Sequence, residues 1–240
     1  MQLKIDAHVH TISSGHAYST INDYILQSKK IGLEGIAITD HAPNMPGSCG
    51  IFHFNNLHIL PKFVEGVRIY TGIEANILSS DGDIDATSYT LQKLDIRIAS
   101  LHDVLAKIDG VENVTKAYVN TMKNNYINVI GHPCDVRYPF DLEKVVLTAK
   151  EFNVALEVNN TSMNKSSYRY DPKESIIELL KLCEKHKVYI MANSDSHFVT
   201  SLGDLDNSLD IIKRANFPEE LVLNTDIEKF ESFVNFHKFN

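Results

Sequence analysis

Two imidazoles separated by one residue, His8 and His10, follow a carboxylate in Asp6-Ala7-His8-Val9-His10. In an extended chain residues two apart share a face, so this spacing predicts that Asp6, His8 and His10 project together. Imidazoles and carboxylates then recur in short motifs: His16, Thr39-Asp40-His41, Gly72-Ile73-Glu74, Ser100-Leu101-His102, Gly131-His132-Pro133 and Asp195-Ser196-His197. Neutral imidazole and carboxylate are ligands of zinc, manganese and iron. Taken singly, a His or an acidic residue at a strand end is ordinarily a cap or a solvated loop residue. Taken together, His8, His10, His16, His41, His102, His132 and His197 with Glu74 and Asp195 form a set of nine. That is too many for one tetrahedral ion and about right for two or three.

Bringing them together requires elements that end on one rim, and the hydropathy pattern predicts such elements. Leu3, Ile5, Ala7 and Val9 alternate with polar residues, as a strand does. Thr20 with Asp23 three residues on resembles a capping box, and the helical pattern from Ile21 to Ile31 stops at Gly32. Further strands are predicted at 35–39, 68–75, 94–101, 128–131, 154–158 and 188–192. Helices are predicted at 114–124, from the Asp141 cap to 152, from the Asp171 cap and Pro172 to 186, at 204–215, and from Asp226 onward. Strands alternating with helices imply a parallel sheet with helices outside it. Seven such units favour a closed or nearly closed barrel over an open doubly wound sheet, and the sheet stays an alternative because no dinucleotide fingerprint or P-loop is present to decide between them. In a parallel barrel, chemistry collects at the C-terminal ends of the strands, which is where the motifs fall. The stretch 42–61 reads as a loop, and loops of that length are often functional.

Composition narrows the classes. The 240 residues are 43% hydrophobic and 22% charged, which excludes a disordered, collagenous or membrane-spanning chain and suits one domain over 1–240. With 23 Lys+Arg against 31 Asp+Glu and no basic run, binding to nucleic acid across a broad surface is not expected; nucleic acid enters only as a small phosphoester substrate. Cys49, Cys134 and Cys183 are odd in number and form no C-x-x-C, and no apolar run suggests a signal peptide or membrane span. A cytoplasmic protein, away from the membrane, is expected.

Asp6-Ala7-His8-Val9-His10 and the five motifs that begin at Thr39, Gly72, Ser100, Gly131 and Asp195 resemble, in order, those of the PHP (polymerase and histidinol phosphatase) family, from Asp6 to Asn216-Phe217-Pro218-Glu219. His16-Ala17-Tyr18-Ser19-Thr20, Gly72-Ile73-Glu74-Ala75-Asn76 and Leu156-Glu157-Val158-Asn159-Asn160 are similar to the stand-alone YcdX-like phosphatase branch. The resemblance implies an α/β fold, a single-domain distorted (β/α)7 TIM-like barrel with its metal site at the C-terminal strand ends. It further implies three divalent transition-metal ions, zinc first, with manganese or iron as alternatives. His8, His10, Glu74 and Asp195 would hold one ion. Glu74 would bridge to a second, completed by His102 and His132, and His16, His41 and His197 would hold the third. Asp6 and Asp40 match positions that orient ligand imidazoles through the distal ring N–H, with strand-end capping as the alternative reading. The expected activity is hydrolysis of small phosphate monoesters by metal-activated hydroxide at the trinuclear site.

Other groups are weaker candidates. Arg137, Tyr168 and Arg169 lie in loops predicted to open on the same rim, where they would touch a substrate phosphate or be solvated. Cys134 reads as a small buried residue, and Ser194 and Ser196 as hydrogen-bonding neighbours of the ligands. The competing readings are a histidinol-phosphate phosphatase or a nucleotide or oligonucleotide phosphodiesterase, and, in another class, a non-catalytic metal-binding regulatory module. The last is disfavoured by the complete ligand set. Homo-oligomers are compatible with the family, though no interface residues stand out.

Overall fold

Short runs of β-branched and aliphatic residues form the strands β1 (Ile5–Val9), β2 (Gly35–Ile38), β3 (Phe63–Val64), β4 (Val67–Asn76), β5 (Ile96–Ser100), β6 (Val129–Ile130), β7 (Ala155–Asn159) and β8 (Ile190–Asn193). These positions come from a computed structural model, which describes residues 1–105, 107–164 and 171–239. Seven strands pair in parallel in the order β1-β2-β4-β5-β6-β7-β8, and the short β3 pairs antiparallel with β4. Around them lie α1 (Ile21–Ile31), α2 (Ile51–Asn56), α3 (Ser88–Leu91), α4 (Val111–Met122), α5 (Leu142–Glu151), α6 (Lys173–His186), α7 (Asp206–Arg214) and α8 (Ile227–Phe239). Alternation of strand and helix thus gives a nearly closed parallel barrel, as the sequence pattern predicts.

Closure between β8 and β1 takes two forms. At the rim, His10 N–H donates to Ser196 O at 2.8 Å and Ser196 N–H donates to His8 O at 3.3 Å. Lower down, Asn224 fills the gap. Its side chain accepts from Ala192 N–H at 3.2 Å and donates to Ile5 O at 3.0 Å, while its carbonyl accepts from Lys4 N–H at 2.8 Å. One amide side chain thereby satisfies strand-edge groups that would otherwise be orphaned. The apolar segment 221–223 joins two 3-10 turns, Glu219–Leu221 and Leu223–Thr225, and Val222 between them bridges to Ile190. Beneath it, Phe230, Phe233 and Val234 of α8 pack against Ile5, Ile96, Val129, Ala155 and Met191, near the N-terminal ends of the strands. That packing closes the floor and leaves the other rim open.

Three expectations are corrected. The α6 start lacks the Asp171 cap: Pro172 occupies the cap position without a side-chain hydrogen bond, and Asp171 takes φ 44 and pairs with Lys173 at 3.2 Å. The stretch 42–61 is not a plain loop but carries α2 and a 3-10 turn at Leu57–Ile59, buried through Phe54 and Leu57. The strict two-residue alternation in β1 also fails. Pairing with β2 shifts register between Asp6 and Val9, so Ile5 and Ala7 join the barrel interior while Val9 packs outside with Tyr24 and Ile36. A bulge of this kind re-aims the side chains beyond it, and His8 and His10 turn inward without Asp6.

Candidate metal centre

Glu74 stands at the centre of the open rim, near the end of β4, and is fully buried. Its Oε1 lies 3.1 Å from His132 Nε2 and 3.4 Å from both His8 Nε2 and His102 Nε2. Its Oε2 lies 2.6 Å from His41 Nδ1 and 3.6 Å from His10 Nε2. Across from it, Asp195 Oδ1 approaches His10 Nε2 at 3.2 Å and both His8 Nε2 and His197 Nδ1 at 3.6 Å. His16 Nε2 completes the cluster, 3.2 Å from His41 Nε2 and 3.2 Å from His197 Nε2. All nine sequence-predicted ligands are therefore gathered at one place.

Local backbone explains how separate strands reach a common point. Gly15, at φ 78, lets the turn before His16 approach Gly47 so closely that a Cβ there would lie 2.2 Å from Gly47 O. At Gly131 a Cβ would meet Ser100 Oγ at 2.2 Å, so only glycine lets β6 deliver His132 beside His102. His132 itself takes φ 30 and Asp195 φ 57, left-handed conformations that cost a non-glycine residue and are held where function needs them. His132 is fixed there by its N–H, which donates to Glu157 Oε2 at 2.8 Å.

Each ligand imidazole with a defined partner is oriented by it. Glu157, in the middle of β7 and buried, lies 2.8 Å from His8 Nδ1 and also accepts from Asn193 Nδ2 at 2.8 Å and Asn159 Nδ2 at 3.1 Å. A carboxylate can only accept, so His8 carries a proton on Nδ1 and turns Nε2 toward Glu74 and Asp195. Asn76 Nδ2 donates to Asp85 Oδ2 at 2.6 Å, leaving its Oδ1, 2.8 Å away, as acceptor for His102 Nδ1–H. His10 Nδ1 meets Ser14 Oγ at 3.2 Å, and Ser14 in turn donates to Asp40 Oδ1 at 2.6 Å. His197 Nδ1 faces the Asp195 carbonyl at 3.1 Å.

The orienting roles expected of Asp6 and Asp40 therefore fall largely elsewhere. Asp40 reaches His10 only through Ser14, and also accepts from Thr11 N–H at 2.6 Å. Asp6, on the outer side of the β1 bulge, accepts from Ser194 N–H and Gly203 N–H, each at 3.1 Å, and so ties down the Asp195 loop. Glu157, Asn76 and Ser14 were missed as site residues. For Glu157 the signal was present: a lone carboxylate in the middle of the apolar run Val154–Val158 demands a buried partner.

Electrostatics points to a cation. Burial alone would lower the His8 pKa, but Glu157, Asp195 and Glu74 outweigh it and raise it well above the ordinary histidine range. Burial and the imidazoles of His41 and His197 hold His10 well below that range, and push His16 down to about 4. For Glu74, burial opposes the charge, yet His102, His41 and His8 hold its pKa well below the carboxylate range. His10 and His16 are thereby held neutral beside the ionised Glu74, while the three carboxylates around His8 call for positive charge there. His8 Nε2, His10 Nε2 and Glu74 Oε2 are buried without a hydrogen bond, and the His41 Nδ1 beside Glu74 Oε2 is not aligned to make one. Orphaned lone pairs of this kind are costly unless an ion uses them. Three interlocking triads have donor atoms within 4.8 Å of one another: His8–His10–Glu74, His41–Glu74–His102 and His10–His41–His197. The residues present thus fit a site for divalent metal.

The cluster opens into a cavity of about 680 Å³, whose wall includes Met45, Pro46, Val104, Thr161, Asn164 and Phe198. Arg137 is not part of that lining; its guanidinium is engaged by Asp135, at 2.6 Å, and by Asp103. Tyr168 and Arg169 lie outside the described residues. Among the described residues, no helix is long and apolar enough to cross a membrane.

Comparison with known proteins agrees with this geometry. The family described as PHP domain matches residues 6–220. A probable phosphatase of Caldicellulosiruptor bescii is 43% identical over 237 residues, covering 99% of this chain and 98% of that one. A probable phosphatase of Caldicellulosiruptor saccharolyticus is 42% identical over 240 residues, covering 100% and 99%. Among solved structures, the histidinol phosphate phosphatase of Lactococcus lactis, complexed with zinc, L-histidinol and phosphate, shares the fold. It superposes with a TM-score of 0.63 at 18% identity, covering 90% of this chain and 94% of that one.

Proposed function

The chain belongs to the PHP domain family, and on that premise we propose that it is a metal-dependent phosphatase hydrolysing phosphate monoesters of small molecules. The observation that carries the reading is Glu74 ringed by five imidazole nitrogens within 3.6 Å, beneath an open cavity. In this reading one domain serves a cytoplasmic enzyme, and three divalent ions, zinc first, share the cluster. His8, His10, Glu74 and Asp195 would hold one, Glu74 with His102 and His132 a second, and His16, His41 and His197 the third. Bound divalent ions would supply positive charge for the phosphate and lower the pKa of water from 15.7 toward roughly 7.

The chain's own residues prepare the site for that chemistry. Glu157, Asn76 and Ser14 fix the ring protons of His8, His102 and His10 on Nδ1, so each Nε2 is presented as a donor. Asp6 and Asp40 anchor the two segments that carry Asp195 and His10. The buried walls exclude bulk water from the carboxylates, and the cavity leaves room for an alcohol-bearing ester oxygen beside the cluster.

Elemental analysis of chelator-free protein is expected to find about three transition-metal ions per chain. Hydrolysis of an aryl phosphate should vanish with chelator and in His8→Ala. Full activity in either case would overturn the reading, and a panel that includes histidinol phosphate and phosphodiesters would separate the narrower activities.

A further inference from the structure

Resting on the phosphatase reading, we propose that the alcohol half of the substrate is an apolar, ring-bearing body seated on a wall formed by Met45, Pro46, Val104 and Phe198. These four share the cavity with Glu74, His102 and His197. They follow the ligands closely in sequence: Met45 and Pro46 after His41, Val104 after His102, and Phe198 directly after His197. A molecule whose phosphate reaches the cluster thus shares one cavity with this wall.

Val104 is 62% exposed and Phe198 49% exposed, although both sit in a concave site. Apolar surface held open to water in a cavity is unfavourable, a cost relieved when an apolar ligand covers it. The wall is also built in advance. The Phe198 carbonyl accepts from Ser196 Oγ at 2.9 Å and Ser201 Oγ at 2.8 Å, and Met45 is fixed in a turn by its N–H to Ala42 O at 3.1 Å.

Several polar atoms of the same lining are already engaged by the protein, and the Asp103 carboxylate by Arg137. Thr161 Oγ1 donates to Ser194 O at 2.8 Å, Ser201 Oγ to Phe198 O, and Asn164 Oδ1 accepts from Asn207 Nδ2 at 2.9 Å. A polyol brought against Met45, Pro46, Val104 and Phe198 would give up hydration to apolar surface, whereas a ring would gain contact with Phe198.

The test uses zinc-loaded enzyme and three esters with primary-alcohol leaving groups: 2-phenylethyl phosphate, ethyl phosphate and glycerol 3-phosphate. The phenylethyl ester is expected to exceed glycerol phosphate in kcat/KM by about a hundredfold, mainly through KM. Phe198→Ala should cost the phenylethyl ester about tenfold more than it costs ethyl phosphate. Preference for the glycerol ester, or an equal loss on both esters, would overturn the proposal. Calorimetric binding of 2-phenylethylphosphonate against ethylphosphonate needs no turnover: tighter binding of the former supports the wall, and equal affinity refutes it. If all three esters resist hydrolysis while the phosphonates still differ, the phosphatase reading fails and the apolar wall stands.

Discussion

Exchanging Glu157 for glutamine replaces one oxygen by an NH2 and removes one charge, and the structure leaves that NH2 no acceptable place. One carboxylate oxygen faces His8 Nδ1 and Asn193 Nδ2, and the other faces His132 N–H and Asn159 Nδ2. Either orientation of glutamine points a donor at two donors. If the NH2 faces His8, the imidazole can accept from it only by moving its own proton to Nε2, which removes the lone pair aimed at Glu74 and Asp195. If it faces His132, the left-handed backbone there loses its anchor. Loss of such an orienting partner weakens metal binding by about 10- to 100-fold, or roughly 1.4–2.7 kcal/mol. Zinc competition against a chromophoric chelator, on protein shown by circular dichroism to be folded, measures this directly. A second readout follows from the sign of the titration. Burial opposes the Glu157 charge, but His8 facing it lowers the folded pKa below 4.5. The stability this contributes is present above 4.5 and lost as pH falls through the folded value, and the glutamine variant should lack that acid-side loss. A folded Glu157→Gln protein with unchanged affinity at every zinc site would refute the reasoning.

Three further outcomes are expected. Asn76→Leu strands His102 Nδ1–H in the absence of its 2.8 Å acceptor, and zinc occupancy measured by elemental analysis should fall, with the same 10- to 100-fold scale of weakening. Zinc at about a hundred times Kd should stabilise the chelated protein by roughly 2.7 kcal/mol for each ion bound, a Tm rise of about 5–10 °C per ion by calorimetry; an unchanged Tm would mean that the orphaned lone pairs hold no ion. Burial pushes the Cys134 thiol up to about 12 and Cys49 up to about 11, so native protein at pH 8 should resist iodoacetamide, read by mass spectrometry, and react only when unfolded.

Much of the site was legible because ligand chemistry restricts residue type. Seven His, Glu74 and Asp195 at predicted strand ends are hard to explain singly, and parallel strands bring such ends to one rim. Periodicity exposed the helices with strong boundaries, as at Thr20, where both halves of the capping box with Asp23 form. It failed where a contact distant in sequence decides the conformation. Asp6 was expected beside His8, yet the bulge against β2 separates them. The Asp171-Pro172 start was overridden by the left-handed backbone of Asp171, at φ 44, which leaves Pro172 in the cap position.

By itself the sequence determined the inventory of donors, the order of strands and helices, and the rim on which chemistry would gather, because these depend on residue type and local period. Only the tertiary structure decided which imidazole nitrogen is free, that Glu157 rather than Asp6 steadies His8, that Asn224 completes the barrel, and that the cavity beside the cluster is walled by Met45, Val104 and Phe198. Those outcomes depend on directions and distances between side chains tens to hundreds of residues apart. A hydrogen bond or an orphaned lone pair exists only once folding has set both ends in place.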